Sequence, residues 1–275
     1  MKPLPYWLVP LLLVALRPAT AGPVTLSFGI VPQQSASELA KAWVPILSYL
    51  SAKTGYRLSF KTAPNIPEFE RRCGTGEYDI AYMNPYHYTV FHRDPGYQVF
   101  ARQKDKLIQG IVVTRRDSPY HELSDLQGQT LAFPSPAAFA ASVLPRAELK
   151  RRGIAFEPKY VSSHDSVYRS VAKGLMPAGG GIKRTFNNVS HDIRDQLRVL
   201  WTTKGYTPHA FAALPGVDPQ AVTTLQAAMV AMDQDAEGRA ALKTIGFTGI
   251  EAGQDSDWND VRELGIDLLE ALIKG

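Results

Sequence analysis

An α/β fold with parallel sheets is the class this sequence predicts. Short apolar or alternating runs take turns with stretches that repeat apolar residues at helical spacing. Proline, serine and asparagine mark the joints where a strand gives way to a helix, and glycines close the helices. The 275 residues are enough for one large domain or for two lobes.

Residues 24–30 alternate apolar and small polar side chains and stop at Pro32, the pattern of a first strand. Ser35 with Glu38 forms a capping-box pattern that opens a helix, because the hydroxyl and the carboxylate each satisfy an orphan amide. Leu39, Trp43, Ile46, Leu47 and Leu50 keep helical spacing up to Gly55, and Pro45 is expected to kink or split that helix. Residues 56–60 predict a second strand. A helix starts near Pro67 and is stopped by Gly74 and Gly76. The apolar run 78–83 predicts a buried parallel strand that ends at Asn84-Pro85. Strands are expected near 97–101 and 108–114, then a short helix closed by Gly128. A second series follows: strand 130–133, helix 137–151, strand 158–161, helix 163–173 and strand 197–202. The remainder reads as helical, with Val222, Leu225, Met229 and Met232, then Trp258, Val261, Gly265, Leu268 and Leu272, spaced three or four apart. Without repeats or low-complexity segments, one continuous fold with two sub-cores is the economical reading.

Composition excludes several classes. Hydrophobic residues at 45% and charged residues at 20% are globular values, not those of a disordered chain or a coiled coil. The net charge of +4 falls to 28 basic against 26 acidic residues once Lys2 and Arg17 are set aside, so nothing favours nucleic acid or a membrane surface as partner. Cys73 is the only cysteine, which rules out an intrachain disulfide and a multi-cysteine metal site. Lys2, the apolar run 7–16 and Ala19-Thr20-Ala21 have the layout of a secretory signal peptide, with cleavage expected after Ala21. Arg17 behind the apolar run is unusual there, and an uncleaved interfacial anchor is the alternative. No later stretch has the length or apolarity of a membrane span.

Four joints carry residues suited to a ligand: 29–34 with Gln33, 82–86 with Asn84 and Tyr86, 133–138 with Ser135, and 162–165 with Ser163 and His164. Ligands of parallel α/β sheets sit outside the C-terminal strand ends, where helix N-termini offer free amides and partial positive charge. The bland reading makes each joint an ordinary cap or turn. Signatures of a nucleophile elbow, a zinc protease and a P-loop are missing. The run Gly179-Gly180-Gly181 fits a close backbone approach or a hinge. His87 and His92, five apart, do not have metal-pair spacing, and Cys73 beside Arg71 and Arg72 is either pKa-lowered or a small buried side chain. No metal and no cofactor are expected.

Together with the leader, five segments resemble the phosphonate-binding-protein family, periplasmic substrate-binding proteins of phosphate/phosphite/phosphonate ABC transporters. They are Phe28-Gly29-Ile30-Val31-Pro32, Gly76-Glu77-Tyr78-Asp79-Ile80-Ala81-Tyr82, Leu123-Ser124-Asp125-Leu126-Gln127-Gly128, Leu144-Pro145-Arg146-Ala147-Glu148-Leu149 and Leu197-Arg198-Val199-Leu200-Trp201. The resemblance covers nearly all of the chain after the leader. It implies a two-lobed periplasmic-binding-protein fold of type II, each lobe a mostly parallel sheet with flanking helices, joined by two crossover strands. Its limits would be a signal peptide at 1–21, lobe one at 22–113 and 203–275, and lobe two at 114–202. At the ligand the sequence departs from the family. The family's Ser-Thr-Ser-Gly run corresponds to Ala138, Phe139, Ala140 and Ala141, a family tyrosine to Ile66, and a family aspartate to Pro177. His164 matches the family's serine-x-histidine segment, and Arg184 and Thr185 follow the triple glycine toward the cleft. Each missing hydrogen bond to a charged ligand is worth about 1.5–3 kcal/mol, which argues against 2-aminoethylphosphonate and for a divergent subgroup.

The leading expectation is a non-enzymatic, periplasmic solute-binding protein that closes on a small polar or anionic solute and delivers it to a transporter permease. Its ligand residues would be Gln33, Asn84, Tyr86, Ser135, Ala138, Phe139, Ser163, His164, Arg184 and Thr185. A monomer is expected, because a permease must reach the lips of both lobes. The alternatives are the ligand-sensing partner of a membrane histidine kinase and, remotely, a hydrolase using Ser163 or Ser135 with His164.

Overall fold

The computed structural model describes residues 22–270. The leader read from residues 1–21, and Leu272, lie outside them. The first elements follow the sequence closely: β1 (Thr25–Ile30), α1 (Ala36–Thr54), β2 (Arg57–Lys61), α2 (Ile66–Gly74), β3 (Ile80–Met83), α3 (Pro85–Phe91) and β4 (Gln98–Gln103). Ser35 caps α1, its hydroxyl accepting from the Glu38 amide, and Gly55 ends it in the left-handed region at φ 77°. Pro45 neither splits nor ends α1. It lies on the exposed side of the helix, as does Lys41, whose carbonyl loses its helical partner to the proline, while Leu39, Trp43, Ile46, Leu47 and Leu50 bury the other side. Each of those buried side chains contributes about 1.5–3 kcal/mol.

The chain then enters a second sheet through β5 (Gly110–Arg115), β6 (Gln129–Phe133), α4 (Leu144–Arg151), β7 (Phe156–Tyr160), α5 (His164–Ala172), β8 (Ala178–Ile182), α6 (Lys183–Asn188), α7 (His191–Arg194) and β9 (Leu197–Thr202). It returns through β10 (Ala210–Ala213), α8 (Pro219–Val230), α9 (Ala236–Thr244), β11 (Ile250–Ala252) and α10 (Asn259–Arg262). The helix expected from Trp258 onward stops at Arg262, and Gly265, at φ 59°, breaks the repeat that Leu268 continues. The return segment also holds two strands that a purely helical reading passes over.

The first sheet runs β11-β4-β10-β3-β1-β2 and the second β7-β6-β8-β5-β9. In each, β10 or β5 runs against both of its neighbours. These two strands are where the chain has just crossed between sheets, so their reversal follows from the direction of entry. β5 pairs only within the second sheet, so the chain has left the first sheet by Gly110. The two crossings pair once, at Ile108 and Tyr206, which exchange backbone hydrogen bonds of 2.7 and 3.0 Å.

Glycine decides how the second lobe packs. A Cβ on Gly180 would lie 1.9 Å from the Ala141 carbonyl oxygen, and one on Gly110 2.0 Å from that of Ala140. Bare backbone there lets the π-helical turn Phe139–Val143, which precedes α4, settle directly on β5 and β8. Gly179 and Gly181 make the same room on the opposite face, for Val167 and Tyr168 of α5. The triple glycine is thus a close backbone approach, with β8 as its strand.

Candidate functional site

The C-terminal ends of β1, β3, β6, β7 and β8 all point at the seam between the two lobes. The seam is shut. The His164 amide donates to the Gln33 carbonyl at 3.1 Å, an Arg184 guanidinium N–H donates to Gln33 Oε1 at 2.6 Å, and Asn84 Nδ2 donates to the Ala137 carbonyl at 3.3 Å. The core of the first lobe continues across it into Ala137–Ala141, Leu144 and Ile182 of the second.

At the centre of the seam is a chamber of about 10 Å³. That is room for one water at most. Of the residues expected to touch a ligand, Gln33, Asn84, Ala138, Phe139 and His164 line it, together with Ile66, Ala140, Ala141 and Ile182. The residues set against the family's hydroxyl loop and tyrosine therefore do reach the centre, and they bring methyl groups and a phenyl ring instead of hydroxyls. Pro177 does not reach it. It precedes β8 at the far end from the chamber, its carbonyl accepting from Thr114 at 2.8 Å, and the β8 residue at the chamber is Ile182.

Other candidates are occupied elsewhere. Tyr86 turns away from the seam: its hydroxyl accepts from the Leu269 amide at 2.9 Å, and it lines a hollow beside Arg93 and Ile266. The second position of α3 faces the return segment, so the joint that brings Asn84 inward carries Tyr86 outward. Asn84 and Ser163 are helix caps, accepting from the His87 and Ser166 amides at 2.8 and 3.1 Å. Ser163 also edges the mouth of the seam, a cleft of about 630 Å³ that it shares with Glu38, Asp165 and Arg169. Thr185 is buried, with hydrogen bonds to Tyr168 and to the Ile182 carbonyl. Ser135 is buried and its hydroxyl has no partner among the described residues. The ring of His164 meets Thr185 at 3.5 Å, and neither Ser135 nor Ser163 hydrogen-bonds to it among the described residues. A serine–histidine dyad is therefore not assembled. Cys73 is fully buried and burial pushes its thiol well above the usual range, so Arg71 and Arg72 do not activate it.

Sequence reasoning missed His209. It ends the second crossing, lines the chamber, stacks on Tyr82 at 5.0 Å and meets Gln33 through Nε2 at 3.0 Å. The available signal was Pro208-His209 ahead of the apolar run Ala210–Ala213, which reads as a strand end once that run is taken as β10. Burial, then the nearby Arg184 charge, brings His164 down to about 3 from the usual 6.5. The same two causes, and then His87 and His164, hold His209 well below that value. Both rings are neutral in the shut seam.

Beside the chamber, and sharing Ile108, Ile182 and His209 with it, lies a pocket of about 350 Å³. Lys106, Lys183 and Arg184 line it. Sequence reasoning pointed only to the last of these.

A family model described as ABC transporter, phosphonate, periplasmic substrate-binding protein matches residues 28–258. The phosphate-import protein PhnD of Mycolicibacterium smegmatis is 23% identical over 278 residues, covering 89% of this chain and 81% of that protein. Among solved structures, a binding protein component of an ABC phosphonate transporter from Pseudomonas aeruginosa superposes with a TM-score of 0.82 at 16% identity, covering 88% of this chain and 86% of the other. PhnD1 from Prochlorococcus marinus, in complex with methylphosphonate, gives 0.79 at 17% identity, covering 88% and 97%. The fold shared with these structures is the two-lobed, type II binding-protein architecture that the two sheets and their crossings form.

Proposed function

This chain belongs to the family of periplasmic substrate-binding proteins of phosphonate ABC transporters, and from that premise we propose that it clamps a small polar or anionic solute of the phosphonate, phosphite or phosphate class between its lobes. It then releases the solute, chemically unchanged, to a membrane permease. The observation that carries this reading is the seam itself, where strand ends from both lobes converge and Gln33 meets His164 and Arg184 across it. A solute bound there holds the lobes together by touching both. The proposed lobes are 22–109 with 203–270, and 110–202. The proposed export route is a leader cut after Ala21, and the working unit is a monomer. The unassembled dyad supports binding without turnover.

The test is a thermal-shift panel on residues 22–275 with phosphate, phosphite, methylphosphonate and phenylphosphonate. A ligand at about a hundred times its Kd stabilises the folded state by about 2.7 kcal/mol, a clear rise in Tm. No rise with any of the four overturns the proposal.

A further inference from the structure

Three spaces lie along the seam, and they differ in size and sign. The central chamber admits one water at most and is walled largely by alanine, isoleucine and phenylalanine. The mouth is roomy but carries both signs, with Glu38 and Asp165 against Arg169. The third pocket, of about 350 Å³, has Lys106, Lys183 and Arg184 on its walls and no carboxylate. None of the three cations makes an ion pair among the described residues, although many other basic side chains in the protein do. The walls come from both lobes. Lys106 belongs to the first crossing, Lys183 and Arg184 to α6, and Gly246 follows α9 of the first lobe.

Resting on the reading of this chain as a solute-binding protein, we infer that its solute site is this basic pocket and not the central chamber, and that the solute is an organic anion with one phosphonate or phosphomonoester headgroup and an uncharged arm. Arg184 is the anchor. One of its N–H groups holds Gln33 of the opposite lobe, and its guanidinium lies over the Phe247 ring at 5.7 Å, which fixes the fork in place. The remaining donors of the fork suit two oxygens of a tetrahedral anion. Lys106 and Lys183 add charge at the rim, where they steer and screen. The arm is required by volume and by chemistry. The pocket reaches the lower end of small-molecule sites, and a bare inorganic anion leaves most of it to water. Leu107, Ile108, Ile182 and Pro208 offer the arm an apolar wall. The side-chain amides of Gln103, Asn187 and Asn188 also line the pocket and can hydrogen-bond polar atoms on the arm. The position also couples binding to closure, since Arg184 already bridges the lobes and a bound anion adds a second bridge to Lys106.

Isothermal titration of residues 22–275 with inorganic phosphate, methylphosphonate and phenylphosphonate tests this. Phenylphosphonate is expected to bind about tenfold or more tighter than inorganic phosphate, the return on burying its ring. Arg184→Gln is expected to weaken phenylphosphonate at least about tenfold, the loss of charge-assisted hydrogen bonds. Because Arg184→Gln also removes the Gln33 contact, the double variant Lys106→Gln/Lys183→Gln, confined to exposed side chains, is the deciding one. It is expected to weaken binding severalfold and to flatten its salt dependence. If wild-type protein binds a phosphonate and the lysine variant binds it equally well, with the same salt dependence, the site is elsewhere and this inference falls while the solute-binding reading stands. Phenylphosphonate binding no tighter than phosphate also overturns it. If wild type binds none of the three, this inference falls, and the solute-binding reading falls with it only when phosphite also gives no rise in Tm.

Discussion

Acid should loosen the seam, and the size of the effect follows from His164. Burial first, and the Arg184 charge second, hold this imidazole at about 3 instead of the usual 6.5. The shut protein therefore keeps it neutral, while the opened or unfolded chain lets it take a proton near its ordinary value. The unfolded form binds more protons between those two values, so stability is complete above about pH 6.5 and falls as pH drops through the window toward 3. At about pH 5 the medium lies about 1.5 pH units below the ordinary value, and at about 1.36 kcal/mol per unit the closed state loses about 2 kcal/mol. His209, also held low, adds in the same direction. Its neighbours are Gln33 and the Tyr82 ring, and no carboxylate hydrogen-bonds to it among the described residues to rescue the charge. The assay is urea unfolding at about pH 7.5 and about pH 5, on wild type and on His164→Gln, because subtracting the two pH dependences cancels every other titrating group. Wild type should lose up to about 2 kcal/mol more than the variant. Equal losses in the two proteins would refute the reasoning. A difference of the opposite sign would mean that His164 is charged in the shut state.

Gly180→Ala is expected to destabilise the second lobe by about 1–3 kcal/mol or more, since its Cβ would sit 1.9 Å from the Ala141 carbonyl and 2.8 Å from the Phe133 ring. Its urea midpoint should fall, and a midpoint at the wild-type value would contradict the close packing of the π-helical turn. Cys73 is expected to resist a thiol reagent such as Ellman's in the native state and to react fully in urea, because it is buried with its thiol held protonated. Rapid native labelling would show that the α2 end opens far more readily than its packing implies.

The local chemistry of this chain was legible from its residues. Ser35, Asn84 and Ser163 cap helices as their type and place suggest, because a cap is satisfied by amides two or three residues away. The first-sheet strands through β3 were legible because apolar runs between turn residues need no distant partner to be recognised. Ala210–Ala213 and Ile250–Ala252 were not legible: they are four and three residues long and exist only because β3 and β4 wait beside them. The triple glycine announced a close approach, but its partner, the carbonyl of Ala141, lies at a distance that only folding closes.

The site divides the same way. Sequence alone settled which side chains could not serve: those of alanine, phenylalanine and isoleucine carry no donors, so 138–141 and 66 form no hydroxyl cradle. It also fixed the alternation of elements that makes two lobes. Tertiary structure decided which side of each joint faces the seam, sending Asn84 inward and Tyr86 out to Leu269. It brought His209 to the chamber and set Lys106 beside Lys183 and Arg184. Secondary structure depends on neighbours a few residues apart, whereas a site is made by residues tens to hundreds apart, and only the meeting of the two lobes at their strand ends brings those together.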